Sequence, residues 1–479
     1  MHYDVIVIGA GLGGLTAGAK LAKEGRKVLV LEQHDRAGGC ATTFRRRDFT
    51  MEVGLHEMDG LHPGDGKNRI FEDLGLFDRV DFLPLPAFYR FLNPRTDLVM
   101  PHDPEEAKAV LKERFPDESE GIDAYFSTVT NARRIAVAHR GKPDKSVGAF
   151  LDEIIRDKDL KLCLLGNLGY FHDDPYSLSW LYYINAQGSY FGGRANYIRG
   201  GSQVLSNALA DIIREHGGEV KLNMLVTGLT YKDGHPTGVL YHGIRGRDRD
   251  EHADTASDLV VNASLPDLAD LLSPADGKKL AGALKGQVPG ASLLTVYYGF
   301  SRPLKEINPH YSTFIYDQSV TGPRDILANN HSDFRTRSFT FVDYSHVDAQ
   351  LAPEGKSVGA ICAVDYLADW ESLSKEEYEE RKNRLAEELT DRCEAFIPGF
   401  RDAVEYAEVG TARTVRRFIR TPGGAVYGFS QHPGRSLDYL DALPANVHVA
   451  SAWGKTGGGF SGAILGGYLC AMNLLRRKG

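Results

Sequence analysis

Three glycines and one acid have the spacing of a nucleotide site. Gly9, Gly11 and Gly14 stand in GxGxxG register, with Leu12 and Gly13 inside the motif, and Glu32 lies 18 residues beyond Gly14. The first glycine permits a tight turn, the second lets backbone approach a pyrophosphate, and the third lets a helix pack closely on a strand. The pyrophosphate sits on the N-terminus of that helix, where unpaired amides and the dipole favour an anion. An acid about 20 residues on accepts hydrogen bonds from ribose hydroxyls. Gly38 and Gly39 follow closely and predict further amides against the same pyrophosphate, the other reading being a simple turn.

The flanking pattern supplies the elements that this chemistry needs. Val5–Ile8 is an apolar run fit for one buried parallel strand. Leu15, Gly18, Ala19 and Ala22 recur at helical spacing, and Gly25 stops that helix. Lys27–Leu31 predicts a second buried strand ending at Glu32. A lone GxGxxG is weak, but strand, helix, strand and acid together predict a dinucleotide site.

The composition narrows the function classes. At 479 residues the chain exceeds one ordinary core and predicts more than one folding unit. A net charge of −8 argues against nucleic acid as a partner. Five cysteines, odd in number and never in CxxC spacing, predict reduced thiols in a cytoplasmic protein, with no metal site. No apolar run approaches the length of a transmembrane helix.

Further along, Asp48–Gly54 alternates like a short strand. Residues 60–190 mix helical patterns (Glu105–Arg114, Gly121–Arg134, Ser146–Ile155) with aromatic pieces. Tyr170–Phe191 reads either as core or as the wall of a large apolar cavity. Ser146–Leu168 carries Phe150, Leu151, Ile154 and Ile155 on one face, with Leu160, Leu164 and Leu165 beyond. That stripe predicts core packing, or else peripheral contact with a membrane. Tyr197–Leu229 returns to the nucleotide domain, followed by a hairpin turning at Lys232-Asp233-Gly234. Arg245–Asp258 reads as a polar loop and Leu259–Asn262 as a buried strand. No second GxGxxG with a following acid occurs, so one dinucleotide and no separate nicotinamide domain are expected. Ala291–Gly299, Ser338–Asp343 and Ser357–Val364 read as strands, and Glu376–Phe396 as a solvated outer helix. Val447–Ala450 reads as a strand. Gly457-Gly458-Gly459 then precedes a helix from about Ser461 to Leu475, closed by Arg476-Arg477-Lys478 at its negative end.

These pieces together resemble the FAD-dependent phytoene desaturase superfamily across nearly the whole chain. The motifs are GAGLGGL at Gly9–Leu15, AGGCATTF at Ala37–Phe44, VGLHEMDG at Val53–Gly60 and YIRGGSQVLSNAL at Tyr197–Leu209. GGEVKLNMLV at Gly217–Val226, LAPEGKSV at Leu351–Val358, GGAVYGF at Gly423–Phe429 and the Gly457–Gly459 triplet complete them. The AGGC, GLH and GAVYG pieces look most like the carotenoid isomerase and retinol saturase branches.

The resemblance implies an α/β fold: a Rossmann-like FAD-binding domain built from discontinuous segments, with an α+β substrate domain inserted. The FAD domain would take 1–59, 192–274 and 431–479, and the substrate domain 60–191 and 275–430. It implies FAD on Gly9, Gly11, Gly14 and Glu32, with Val226 bracketing the adenine. The stretch around Trp453, Gly458, Gly459 and Ala463 would put a helix N-terminus near the flavin. Ser451-Ala452-Trp453 stands where many FAD proteins have an acid, so backbone or Ser451 would meet the ribityl chain. His56 and Glu57 are candidates for groups near the flavin. Against that stand a structural histidine and half of a surface ion pair. Tyr427 would line the cavity or belong to aromatic core.

The implied activity is hydride transfer at flavin N5 with a carotenoid, retinoid or related isoprenoid, of desaturase or saturase type. The substrate is an apolar small molecule, reached by a peripheral membrane contact. Alternatives are a redox-neutral cis–trans isomerase using reduced FAD, a flavin amine oxidase, and a non-enzymatic carrier like the GDP dissociation inhibitors. The intact glycine set with Glu32 counts against the last.

Overall fold

The computed structural model describes residues 1–245 and 250–477. Its first sheet is organised on His2–Ile8, which pairs in parallel with Val28–Leu31 on one side and Glu251–Val261 on the other. Glu219–Lys221 extends the sheet beyond Val28–Leu31, and Val447–Val449 pairs in parallel with Leu259–Val261. Met224–Lys232 and His235–Gly243 add an antiparallel hairpin on the Glu251–Val261 strand, turning at Asp233-Gly234 as expected. The sheet is thus assembled from three stretches of chain far apart in sequence.

From Val5 to Ile8 the first strand is apolar because both faces are covered. Val5, Val7, Val28 and Val30 face one core, while Ile6, Ile8, Leu29 and Leu31 face another. Helix Leu12–Lys23 lies on the valine side, and Gly25 at φ +79° follows its end. Two later helices, Ser202–Glu215 and Gly459–Arg477, pack against it. Glycine sets both distances. A Cβ on Gly18 would stand 3.0 Å from Ile213 Cδ1, and one on Gly467 would stand 2.1 Å from the Gly13 carbonyl oxygen. The last helix can approach the first this closely only without a side chain.

The second sheet runs in the order Val404–Gly410, Ser292–Phe300, Ser357–Asp365, Phe339–Asp343, Ser312–Ile315, Tyr89–Asn93, Thr96–Met100. Ser292–Phe300 shows how it divides space. Leu294, Val296, Tyr298 and Phe300 pack on a core closed by helix Lys375–Glu394 through Leu385, Leu389 and Cys393. Leu293, Thr295 and Tyr297, on the alternate face, line a cavity. The charged outer helix, expected over Glu376–Phe396, runs Lys375–Glu394 and begins at Ser374 with a capping box to Glu377.

Several expectations change. Glu251–Asp258 is strand and not loop: Asp254 and Ala256 point inward while Glu251, Ala253 and Thr255 face solvent, a polar alternation that hides a half-buried strand. The first part of that expected loop, 246–249, lies outside the described residues, as does Lys478. The helix expected over Gly121–Arg134 breaks at Asn131 into Ser119–Thr130 and Ala132–Ala138. The strand near Asp48 is Phe49–Glu52, and it pairs with an unforeseen Thr43–Arg46. The stripe from Ser146 to Leu168 faces the core: Phe150, Leu151, Ile155, Leu160, Leu164 and Leu165 are all buried, and Ile154 packs partly buried against the same core. Among the described residues no helix is long and apolar enough to cross a membrane.

Candidate active site

A cavity of about 2040 Å³ runs from the glycine turn to the second sheet. That is about twice the volume of a large single-ligand site, room for a dinucleotide and a second molecule. Gly9, Gly11, Leu12, Gly13, Glu32, Gly38, Gly39, Val226, Trp453, Gly458, Gly459 and Ala463 all line it. Gly14 does not. It sits below, where a Cβ would stand 2.3 Å from the Gly9 carbonyl oxygen, so its role is to let helix meet strand.

At the nucleotide end the residues fit a dinucleotide. Gly11 caps helix Leu12–Lys23 with no side chain, and the first turn holds no acid, so its amides face the cavity without a side-chain acceptor. A Cβ on Gly13 would come within 2.2 Å of the Ala450 carbonyl oxygen. Glu32, 7 % exposed, accepts the Ala10 amide on one oxygen at 2.7 Å and the His34 amide on the other at 2.8 Å. Burial lifts its carboxyl above the ordinary glutamate value and those amides pull it back. Each oxygen retains a lone pair for a ribose hydroxyl.

Two residues divide this end differently from the sequence reading. The Gly38 amide is spent on the Ala10 carbonyl at 2.7 Å, so Gly39, at φ +61°, is the member of that pair whose amide has no acceptor among the described residues. Asn262, which the sequence reading passed over, accepts the Gly11 amide on Oδ1 at 2.8 Å and donates Nδ2 to the Ala450 carbonyl. Its place at the end of a buried strand, opposite the glycine turn, was the available signal. The Ser451 hydroxyl oxygen accepts the Trp453 amide at 3.3 Å, and the Trp453 indole packs edge-on to Phe429 at 4.7 Å, in core. Gly458 fits tightly against Tyr427, where a Cβ would stand 2.6 Å from Cα.

At the other end the cavity is aromatic. Tyr170, Tyr182, Tyr190, Tyr297 and Tyr427 line it with Leu293 and Cys362. The Tyr170–Phe191 piece is therefore both things at once: these tyrosines are wall, while Trp180, Tyr183 and Ile184 are core.

His56 and Glu57 stand on the same wall, held from both sides. The buried Glu52 carboxylate accepts the Gly54 and Leu55 amides at 3.1 Å, and Met58 pairs with Asn196 at 2.8 Å. Tyr344 and Tyr311 donate to the Leu55 and His56 carbonyls at 3.0 and 2.5 Å. Glu52 also accepts the Ser202 amide and hydroxyl, each at 2.7 Å, so it joins the site to the returning helix. His56 Nδ1 lies 3.1 Å from the Tyr170 hydroxyl, and burial lowers its pKa to about 4, leaving a neutral imidazole. Burial, then the neighbouring Asp59 charge, pushes the Glu57 carboxyl well above the usual range. Burial raises the Tyr427 phenol too. Glu57 is not half of a surface ion pair. Asp59 is the ionised member of the group: burial would raise it, but Lys67 at 3.3 Å with the Ser189 and Ser461 hydroxyls holds it below the usual carboxylate range.

Comparison with known proteins agrees with this geometry. The chain is 29% identical over 462 residues to prolycopene isomerase 2 of an Oncidium hybrid cultivar, covering 89% of this chain and 75% of that protein. It is 24% identical over 539 residues to the all-trans-retinol 13,14-reductase of Danio rerio, covering 99% and 86%. An oxidoreductase structure from Methanosarcina mazei superposes with a TM-score of 0.66 at 18% identity, covering 99% of this chain and 100% of that one. The model of the family described as flavin containing amine oxidoreductase matches residues 12–475, and the chain belongs to that family, as an FAD-dependent oxidoreductase.

Proposed function

We propose that the protein exchanges hydrogen with C–C bonds of a long apolar polyene, a carotenoid, retinoid or related isoprenoid, as a desaturase or saturase. One observation carries this: the dinucleotide cradle opens directly into a chamber lined by Tyr170, Tyr182, Tyr190, Tyr297 and Tyr427, in which burial keeps His56 and Glu57 uncharged at neutral pH while Lys67 pairs with Asp59 and Asp65. FAD held on the cradle supplies hydride exchange at N5. The chain's part is to hold a flat apolar ligand, exclude water and move one proton, since each double bond made or removed involves a hydride and a proton. Lycopene and retinol, in the names of two relatives, are both conjugated polyenes.

The nearest alternative is a redox-neutral isomerase, which the first of those names favours. An amine oxidase is less well served. Glu57, the carboxyl on the tyrosine-lined wall, holds its proton through burial and so offers a cationic substrate no charge.

Helix Ala412–Ile419 borders the nucleotide end of the cavity, where Phe418, 45% exposed, meets the His34 ring at 5.3 Å beside exposed Arg417 and Arg420. Arg416, Arg417 and Arg420 have no acidic partner within ion-pair distance among the described residues. This basic, apolar-tipped surface is a peripheral contact for an anionic membrane.

The test is anaerobic incubation of the holoenzyme with a polyene panel, following flavin absorbance and product mass together. Loss or gain of two hydrogens establishes a desaturase or a saturase. Changed retention at constant mass makes it an isomerase. Turnover of amines alone, with peroxide released, overturns the reading.

A further inference from the structure

His172, Asp173 and Ser430 form a titratable cluster behind the tyrosine wall. His172 Nε2 lies 2.5 Å from the Ser430 hydroxyl oxygen. Its Nδ1 has two neighbours of opposite kind. The Asp173 carboxylate, at 2.9 Å, can only accept, and the Asp174 amide, at 3.0 Å, can only donate. With the ring proton on Nε2, that nitrogen donates to Ser430 while Nδ1 accepts the amide. With the proton on Nδ1, it donates to Asp173 while Nε2 accepts the Ser430 hydroxyl. With both protons, the ring donates at both ends. A histidine bonded in this way can gain, lose or pass a proton without orphaning a nitrogen. Asp173 keeps the charge that this needs. Burial would raise it, but the His172 ring and the Tyr366 hydroxyl, donating at 2.7 Å, hold it below the usual carboxylate range.

The cluster adjoins the active-site cavity. Tyr182 and Tyr427 line both that cavity and a void of about 10 Å³, of which His172 and Ser430 form another wall. Such a volume just holds one water molecule and has no room for an acyl group, so these residue types do not make a hydrolytic site here. The Tyr427 hydroxyl has no partner among the described residues and, unlike the Glu57 oxygens, it is not sealed in. Its backbone packs on Gly458, which lines the cofactor cavity. The chamber's own acids are poorly placed for proton traffic. Both Glu57 oxygens are out of reach, and Asp59 and Asp65 share Lys67.

We propose that His172 and Ser430 are positioning residues of a proton relay that links the Tyr427 hydroxyl to the solvent side of the chamber wall. This rests on the desaturase or saturase reading above and adds the route of its proton. In saturation, one carbon of the double bond takes the hydride. The other takes the Tyr427 O–H proton as its new C–H bond forms. The phenol oxygen is refilled in turn through one water in the void, the Ser430 hydroxyl and Nε2 of the doubly protonated His172. His172 is left neutral with its proton on Nδ1 against Asp173, and regains the second from solvent by way of that partly exposed acid. In desaturation every proton moves the other way.

The experiment follows single turnovers of the holoenzyme with a polyene in H2O and D2O. Flavin absorbance reports the hydride, and product mass the hydrogen count. Ser430→Ala keeps the His172–Asp173 pair but breaks the link, and should slow turnover ~100-fold at unchanged polyene affinity. Its solvent isotope effect should exceed that of the unaltered protein, because proton delivery then limits the rate. Ser430→Thr, which retains the hydroxyl, should restore most of the rate. Independently of substrate, 15N NMR of the His172 ring in the holoenzyme, assigned by its loss in His172→Gln, should show the proton exchanging between both nitrogens. FAD content and melting temperature show whether each variant has folded.

Turnover by Ser430→Ala at the unaltered rate overturns the proposal while leaving the polyene reading intact. So does a Ser430→Thr variant as slow as Ser430→Ala, by making Ser430 a packing residue. A His172 ring locked with its proton on one nitrogen overturns it whatever the substrate. If the unaltered holoenzyme reacts with no polyene, or changes retention at constant mass, the desaturase or saturase reading falls first and the relay falls with it.

Discussion

Asn262 Oδ1 accepts the Gly11 amide at 2.8 Å, while its Nδ2 donates to the Ala450 carbonyl. One side chain therefore holds the glycine turn, a strand end and the last segment of the FAD site in register. Its neutral amide can serve both partners, as a carboxylate cannot.

Asn262→Asp would put a negative charge beside the pyrophosphate position and lose the donor to Ala450. FAD affinity is expected to fall at least tenfold, about 1.4 kcal/mol or more. Equilibrium dialysis against FAD, with the flavin-to-protein absorbance ratio after purification, measures this. Unchanged affinity would remove Asn262 from the cradle.

His56 predicts an acid-sensitive component of stability. Its pKa drops from 6.5 in a solvated chain to about 4 in the fold because burial disfavours the imidazolium. Between those values the unfolded chain binds more protons, so stability present above pH 6.5 is lost as pH falls towards 4. The full window is worth on the order of 3 kcal/mol. Urea unfolding of the holoenzyme and of His56→Gln from pH 7.5 to 4.5 should show the gap between them shrink by about that amount. A gap independent of pH would mean that His56 is not held neutral.

The arginines of helix Ala412–Ile419 and its end predict salt-sensitive binding to anionic vesicles. Each cation near such a surface contributes ~1 kcal/mol, so replacing Arg416, Arg417 and Arg420 with Gln should weaken vesicle binding roughly hundredfold. Raising salt should weaken the unaltered protein in the same direction. Flotation unaffected by either change, or equal on uncharged lipid, would discard this surface.

What the sequence disclosed, and what it hid, follows from how far each signal travels along the chain. Gly9, Gly11, Gly14 and Glu32 belong to one strand–helix–strand unit, and local spacing was enough to read them. Asn262 serves that unit from some 250 residues away, and only the parallel pairing of His2–Ile8 with Glu251–Val261 brings it there. The strand Glu251–Val261 was half concealed because its outer face carries Glu251, Ala253 and Thr255, a composition that loops share. Nothing in the local pattern singles out Glu52, because its contacts with Gly54, Leu55 and Ser202 depend on tertiary packing. His56 and Glu57 could be picked out by type and position. Their lack of charge could not, since it comes from burial by Tyr170, Tyr311 and the second sheet. The core-facing stripe at Phe150 and Leu164 shows the converse, an amphipathic pattern that fits a membrane or a protein interior equally until the neighbours are placed.

The contact between Gly467 and Gly13 also sets an order of events during synthesis. A ribosome adding roughly 5–20 residues per second needs about 20–90 s to pass from one to the other. Throughout that interval the glycine turn exists but the helix that closes against it does not. The cradle is therefore complete only once Gly467 has been made. A polypeptide cut short before Gly467 would carry the nucleotide fingerprint without the helix that packs on it.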